Sequence, residues 1–512
     1  MKLFSKNQIV FTAILAGPLP AAYLLSKNYL NIKQKRASLI TRAFGYLLAL
    51  ISYLSLILLV DQCLIQSGIF KQNRVVAYGF VVILFLVIQS IIAISFYLVS
   101  NKIILKEKLG FPDMMGEMYS SISAVPYLLV GMAITSYLFI EGPFRFLLFI
   151  IYLLPNVYLF HKIKELFPKS SAKDVFTTIF IVWIALFPIV MMAYNVNGGV
   201  VLRYLRLVTF NYLPVLLYFF LFYLFNDLIL LTNRKFKIIP EEFANGNKYK
   251  IWTFFTILIF TVVIMAKGMY NFNNTAVNEY HISVSKKDAL ISHLKIVMTA
   301  DVHLNDKTNE DFVNQLIKNI NFLNPDIVLL AGDIIDSRQV TERMKVFEQQ
   351  FCKIKSKMGV FAVEGNHEIY SGEYKRTFYE NTDIIVLKDS ILKIQDSFYL
   401  IGRKDRHDNK RKSIEELLRL TSDDLPLILL DHQPYNLNNA YNNNIDIQLS
   451  GHTHHGQLFP INLITERIYE LSWGYRKIQN THFFVTCGAQ GWGPQVKIGS
   501  RSEIMEINID FE

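Results

Sequence analysis

Apolar residues gather in long blocks up to about residue 270; beyond it they come in short, strand-length runs separated by helical patterns. A helix crossing ~30 Å of hydrocarbon needs about 20 mostly apolar residues. That rule predicts spans near 8–25, 43–65, 75–99, 122–140, 144–160, 175–195, 208–231 and 251–269. Gly17-Pro18-Leu19-Pro20 interrupts the first, which leaves a full span, a re-entrant segment or an interfacial one open. It has no small-residue cleavage site, so a removable signal peptide is not expected. The stretch 271–292 is polar and Asn-rich and reads as a linker running into a first strand at 280–284. Strands then follow at 294–298, 326–330, 359–363, 383–387, 391–394, 398–401, 427–430, 445–449, 482–486 and 503–509. Helical patterns at 309–323, 339–354 and 412–420 lie between them, the first with Phe312, Leu316, Ile317 and Ile320 on one face. This alternation predicts sheets packed together with helices outside. The chain is thereby divided into N-terminal membrane helices at 1–165, further membrane helices at 166–270, the linker at 271–292 and an α/β domain at 293–512.

Composition agrees: 52% of the 512 residues are hydrophobic and 14% aromatic, which indicates a multi-pass α-helical membrane domain with the lipid bilayer as partner. The formal net charge of +10 would raise nucleic-acid binding in a soluble protein. Here the cations collect in loops 26–42, 161–174 and 232–250, while connections 66–74, 141–145 and 196–206 are poorer in them. Topology absorbs the excess, and no nucleic acid is expected as a partner. With the basic loops cytoplasmic, the last span delivers the C-terminal domain to the outer side of the plasma or inner membrane. Cys63, Cys352 and Cys487 are too scattered for a disulfide framework or a cysteine zinc site. Asp61 and Asp227 are the carboxylates nearest the apolar blocks, and both fall near helix ends where hydration is cheap. Neither internal repeats nor paired broken helices mark a transport path.

Chemistry concentrates after residue 300. Asp301-Val302-His303, Gly332-Asp333, Gly365-Asn366-His367-Glu368, His432 and Gly451-His452-Thr453-His454 each follow a predicted strand. Loops beyond the carboxyl ends of strands converge on one crevice, where ligands bind in α/β sheets. Each piece alone is an ordinary turn or a hydrogen-bonded pair; their joint occurrence, in order, points to a metal site.

The set resembles the calcineurin-like metallophosphoesterase family, and its membrane-associated bacterial branch in the tail: Ser450-Gly451-His452-Thr453-His454-His455-Gly456-Gln457, Cys487-Gly488-Ala489-Gln490-Gly491-Trp492-Gly493-Pro494 and Ile498-Gly499-Ser500-Arg501-Ser502-Glu503. The likeness covers about 280–510 and is silent on residues 1–165. It implies a sandwich of two β-sheets flanked by helices. Asp301, His303 and His454 would hold one divalent metal, Asn366, His432 and His452 a second, and Asp333 would bridge them. His367 would face the phosphate as general acid. Oxygen and imidazole donors suit Mn, Fe or Zn. Two such ions about 3.5–4 Å apart clamp an in-line displacement and bring a shared water's pKa toward ~7. A carboxylate is needed between them because two dications repel.

Three positions depart from the family pattern. Ala300 stands where serine is frequent, Glu368 where aspartate is usual, and His455, expected to be solvent-exposed, where glycine is common. Arg403, Arg406 and Arg501 could fork a phosphate, while surface pairing is the default for each. The remaining histidines, His281, His293, His407 and His482, are assigned to structure or solvent.

The resulting expectation is a membrane-anchored, dinuclear metal-dependent phosphoesterase. It would hydrolyse phosphomonoesters or phosphodiesters with metal-activated hydroxide, on small-molecule or lipid-linked and envelope phosphates. Two readings stay open beside it: a pyrophosphohydrolase of a nucleotide-linked lipid, and a transporter or sensor whose domain only binds a phosphorylated ligand. The oligomeric state is not fixed by the sequence.

Overall fold

A computed structural model describes residues 143–167, 171–192 and 199–512, apart from 286, 306, 338–340, 372–373, 420 and 422–423. The expected spans at 8–25, 43–65, 75–99 and 122–140, and Asp61, lie outside the described residues. The other four expected spans are helices: α1 (Pro143–Lys164), α2 (Ser171–Met192), α3 (Gly199–Phe236) and α4 (Asn247–Asn273). Among the described residues two stretches, Arg203–Phe236 and Asn247–Asn273, are long and apolar enough to cross a membrane.

The described residues fall into two compact units. The first holds α1, α2 and residues 227–254. In it Asp227 accepts hydrogen bonds from Tyr158 Oη (2.7 Å) and Lys162 Nζ (2.6 Å), so its carboxylate is neutralised by a cation rather than left to a transport path.

The second unit holds residues 196–226 and 255–512. Strands β1 (Ala276–Val284), β2 (His293–Thr299), β3 (Ile327–Leu330), β4 (Val360–Val363), β5 (Ile384–Leu387) and β12 (Glu503–Phe511) form one sheet, ordered β1-β12-β2-β3-β4-β5. Strands β6 (Ser390–Ile394), β7 (Phe398–Gly402), β8 (Leu427–Leu430), β9 (Ile447–Ser450), β10 (Gly474–Ile478) and β11 (Thr481–Val485) form the other, ordered β10-β11-β9-β8-β7-β6. Within the first sheet β2, β3, β4 and β5 pair in parallel, and within the second β7, β8, β9 and β11 do so. Parallel neighbours point their carboxyl ends the same way, which gathers the loops after β2, β3 and β4 at one rim of the first sheet and those after β8 and β9 at one rim of the second.

The twofold alternation of a strand decides what lies where. In β2, Ile296 and Met298 face inward and pack with Phe361, Phe398, Leu400 and Phe484 from both sheets. Val297 faces outward and packs under α5 (Glu310–Phe322) and α6 (Glu342–Phe351). Tyr399, Ile401 and Leu429 do the same on the outer face of the second sheet, under Ile414, Leu417 and Leu437. The outcome is four layers: helices, sheet, sheet, helices. Asn309 starts α5 by accepting from Asp311 N, and Thr341 starts α6 by accepting from Met344 N, so α6 begins three residues later than the sequence pattern suggests. The segment 271–292 is not an unstructured linker throughout: α4 runs to Asn273 and β1 begins at Ala276. There β1 pairs along its length with β12, from Ala276 opposite Glu503 to Val284 opposite Phe511, a tertiary contact invisible in local composition.

Phe398, fully buried between the sheets, tests this layering against Phe322, which is 88% exposed at the end of α5. Phe398→Ala should cost about 3–5 kcal/mol and Phe322→Ala under about 0.5 kcal/mol, read by denaturant unfolding of the detergent-solubilised chain.

Candidate metal centre

Every residue singled out after the strands reaches the same rim. Asp301 and His303 follow β2, Asp333 follows β3, Asn366 and His367 follow β4, His432 follows β8, and His452 and His454 follow β9. Five of these, Asp301, His303, Asp333, His452 and His454, have φ between 47° and 72°, the left-handed region that side chains with a Cβ avoid. Such positions cost of order 1–3 kcal/mol each and persist only where the surroundings over-determine them. Close approach by glycine is part of that determination. Gly332, at φ 93°, lies so near His432 that a Cβ there would sit 2.5 Å from Nδ1. A Cβ on Gly451 would sit 2.5 Å from Asp301 Oδ2.

Among the described residues the side chains form three groups whose donor atoms lie within 4.8 Å of one another: Asp301, His303 and His454; Asp333, His432 and His452; and His303, Asp336 and His367, the last sharing His303 with the first. In the first, Nε2 of His303 and Nε2 of His454 are 3.1 Å apart, and Asp301 Oδ1 is 3.9 and 3.6 Å from them. Burial holds both imidazoles well below their usual range, so each is neutral with a lone pair to offer. Burial also pushes the Asp301 carboxyl up to about 7, against the charge of His432. In the second group, burial and then His432 take His452 down to about 4.

Asp333 and His432 carry the strongest local demand for positive charge. His432 Nδ1 donates to Ala331 O at 2.7 Å, and its Nε2 stands 3.2 Å from Asp333 Oδ2. Either a proton on Nε2 or a cation has to sit with this pair. Burial opposes a proton on His432, yet the Asp333 charge outweighs it and pushes the imidazole up to about 10. Burial likewise opposes the Asp333 anion, and His432 overcomes it, holding the carboxyl well below its usual range. Asn366 Oδ1 is buried with no hydrogen-bond partner in the protein, a neutral acceptor aimed at nothing it can accept from. Buried carboxylates, neutral imidazole nitrogens and an unpartnered amide oxygen fit divalent cations of the Mn, Fe or Zn kind.

His367, in the third group, has its ring centroid 4.5 Å from that of His303. Its backbone N–H donates to Asp333 Oδ1 (2.8 Å), and its Nδ1 bonds Asp336 Oδ1 (2.8 Å). Burial alone would lower its pKa, but the Asp336 hydrogen bond and the nearby carboxylates raise it to about 9, so it is protonated at neutral pH.

Three supports escaped the sequence reading or were underrated by it. Asp336 was not singled out, although its place three residues past Asp333 in a turn was the available signal. Glu368 is fully buried, and its carboxylate accepts from the N–H groups of Asp333 (2.9 Å), Ile334 (2.6 Å), Ile335 (2.9 Å) and Gly365 (2.8 Å). It therefore ties the β3 loop to the β4 loop. Lys497, also fully buried, donates to Cys487 O (2.7 Å) and Gly488 O (2.8 Å), in the turn whose Gln490 N–H donates to Asp301 O.

Other expectations resolve differently. His455 is buried, not solvent-exposed: its left-handed turn tucks the ring against Trp473 (5.0 Å) with Nδ1 on Ser472 Oγ (3.1 Å), and it joins none of the donor groups. Arg403 pairs with Asp431 (3.0 Å), and Arg501 donates to Asn274 O (2.9 Å), so both are committed to the fold. Arg406 lies over the Tyr435 ring at 4.1 Å. His407 pairs with Asp405, His281 with Glu279, His293 with Asp510, and His482 with Tyr475, in keeping with their structural assignment.

Residues 294–456 match the model of the calcineurin-like phosphoesterase family. An uncharacterized metallophosphoesterase of Helicobacter pylori (strain J99) is 32% identical over 229 residues, 43% of this chain and 61% of that protein. A transmembrane protein with metallophosphoesterase domain from Danio rerio is 29% identical over 60% of this chain and 74% of its own length. An uncharacterized metallophosphoesterase of Campylobacter jejuni is 27% identical over 72% and 98%. The match thus spans less than two thirds of the Helicobacter protein, while its Campylobacter counterpart is covered almost end to end. The two-sheet fold and the donor groups at its rim accord with this match of residues 294–456 to the calcineurin-like phosphoesterase family.

Proposed function

We propose that this chain is a membrane-anchored, dinuclear metal-dependent phosphoesterase that cleaves phosphomonoester or phosphodiester bonds, its domain at 293–512 facing outward toward lipid-linked or envelope phosphates. The observation that carries the reading is the gathering of Asp301, His303 and His454, and of Asp333, His432 and His452, into two largely buried donor groups from four separate loops. Asn366, whose Oδ1 is buried and unpartnered, is assigned to the second group. Asp333 is assigned as the bridge. The anchor is assigned to the two long apolar stretches, with the spans at 1–165 adding to a multi-pass domain. The cation-rich loop 232–250, taken as cytoplasmic, sets the orientation.

Two bound divalent ions would polarise the phosphate and supply a nucleophile at neutral pH. The chain's own groups do the rest. Glu368 fixes the β3 and β4 loops so that Asp333 and Asn366 hold their positions without reorganising. Asp336 accepts from His367 Nδ1 and keeps the imidazole protonated, the general acid assigned to the oxygen that departs. Trp492 stands beside it, its ring centroid 6.1 Å from that of His367.

The solubilised full chain supplied with Mn should hydrolyse a generic aryl phosphate or phosphodiester, and Asp333→Asn should abolish this. Metal binding without hydrolysis of either would contradict the enzyme reading and favour a passive phosphate binder. His367→Asn should lose about 10²–10⁴ in kcat on an alkyl phosphate and much less on p-nitrophenyl phosphate, whose leaving group needs no proton. Asp336→Asn should show the same leaving-group pattern, more weakly. In sealed vesicles with the domain outside, protease should digest residues 280–512 without permeabilisation; protection would reverse the assigned orientation.

A further inference from the structure

The loop that leaves the His452/His454 motif carries an unusual load of exposed apolar side chains. Phe459, Ile461, Leu463, Ile464 and Ile468 are between 37% and 58% exposed, on the turn before and the faces of a helix, α7 (Asn462–Ile468), that follows directly. A cytosolic or periplasmic surface has little use for five large apolar side chains within ten residues. Their position in the fold supplies one.

Phe459 is bound from two sides. Its carbonyl accepts from Tyr218 Oη of α3 (2.8 Å), and its N–H donates to Ile498 O (2.6 Å). The Ile498 side chain rests on α4, where a Cβ on Gly268 would lie 2.7 Å from it and 2.4 Å from Val496. Residue 268 marks a boundary on that helix: residues 251–266 contain no charged side chain, and Lys267 follows. The loop therefore lies level with the end of the apolar stretch of α4. Groups typical of a membrane–water interface stand at the same level. Lys267 and Arg501 both lie over the Tyr270 ring, at 5.1 and 5.6 Å, and Trp492 is edge-on to Phe210 of α3 at 6.2 Å. The cleft at His303 opens here too, between Phe272 of α4 and Trp492.

We infer that residues 459–468 form an interfacial insertion segment, its apolar side chains entering the headgroup–acyl boundary of the bilayer that α3 and α4 cross. The occupant of this face is the lipid surface itself, because the face continues the surface of α3 and α4 through Tyr218 and Gly268 and lies where the apolar stretch of α4 ends. The inference rests on the anchoring reading above and narrows its substrate class: the scissile phosphate belongs to a lipid headgroup, which reaches His303 and His367 along the wall of Phe272 and Trp492 without leaving the interface.

Depth measurement on the full chain tests this. In a background with Cys63→Ser and Cys352→Ser, and with the buried Cys487 left in place, nitroxide labels are placed singly at Leu463→Cys, Ile464→Cys, Ile259→Cys in α4 and Phe322→Cys at the far end of α5. The protein is reconstituted in phosphatidylethanolamine–phosphatidylglycerol vesicles, and the accessibility of each label to oxygen and to a water-soluble nickel complex is compared. Labels at 463 and 464 should favour oxygen several-fold over the label at 322 and sit shallower than the one at 259. A label at 464 that matches 322 while 259 lies in hydrocarbon would overturn the insertion and leave the anchor standing. A label at 259 that reads as water would overturn the anchoring reading and this inference with it.

Discussion

Charged and lone-pair-bearing groups crowd into a nearly dry space at this rim. Asp333 Oδ2 faces His432 Nε2 at 3.2 Å with a positive charge required between them, and the lone-pair-bearing Nε2 atoms of His303 and His454 stand 3.1 Å apart, with only His454 partly exposed. An uncompensated charge or acceptor in such a setting is costly. The rest of the domain can be understood as what keeps these groups together despite that cost. Two sheets share one core, so their strand ends cannot drift apart independently. Five loop residues are held in left-handed conformations, with glycines allowing the approach. Glu368 ties four backbone N–H groups into one carboxylate, and a missing bond there would release two loops together.

The same rigidity explains why supporting residues matter as much as the donors. A carboxylate that accepts several backbone N–H bonds resists reorientation, and second neighbours of this kind tune both affinity and geometry. Asp336 does this for His367 and Lys497 for the Asp301 turn. Glutamate at 368, where the family pattern favours aspartate, is long enough to reach the N–H groups of three consecutive residues from the start of its own helix.

The strands and the outer helices were legible because their periodicities are local: Ile296 and Met298 in, Val297 out, and Phe312, Leu316 and Ile320 along one stripe. The donors were legible because each follows a strand end within a few residues, and a shared rim follows from parallel pairing. What stayed hidden was non-local. Strand β10 has the mixed composition of an edge, with Arg476 and Lys477 in its middle. The fate of His455 depended on Trp473 and Ser472, eighteen and seventeen residues away. Residues 271–292 looked like a linker because the partner that makes β1 a strand lies more than two hundred residues downstream. Nothing local announces that Phe459 would be held by a tyrosine of α3.

The central claim, that the two donor groups act together on a pair of ions joined by Asp333, is tested most directly by electron paramagnetic resonance of the Mn(II)-saturated chain. Two Mn(II) ions about 3.5–4 Å apart should give an exchange-coupled, many-line spectrum at two ions per chain, and Asp333→Asn should remove the coupling. An isolated six-line signal from the wild-type chain at saturating Mn, or a stoichiometry of one, would contradict the account.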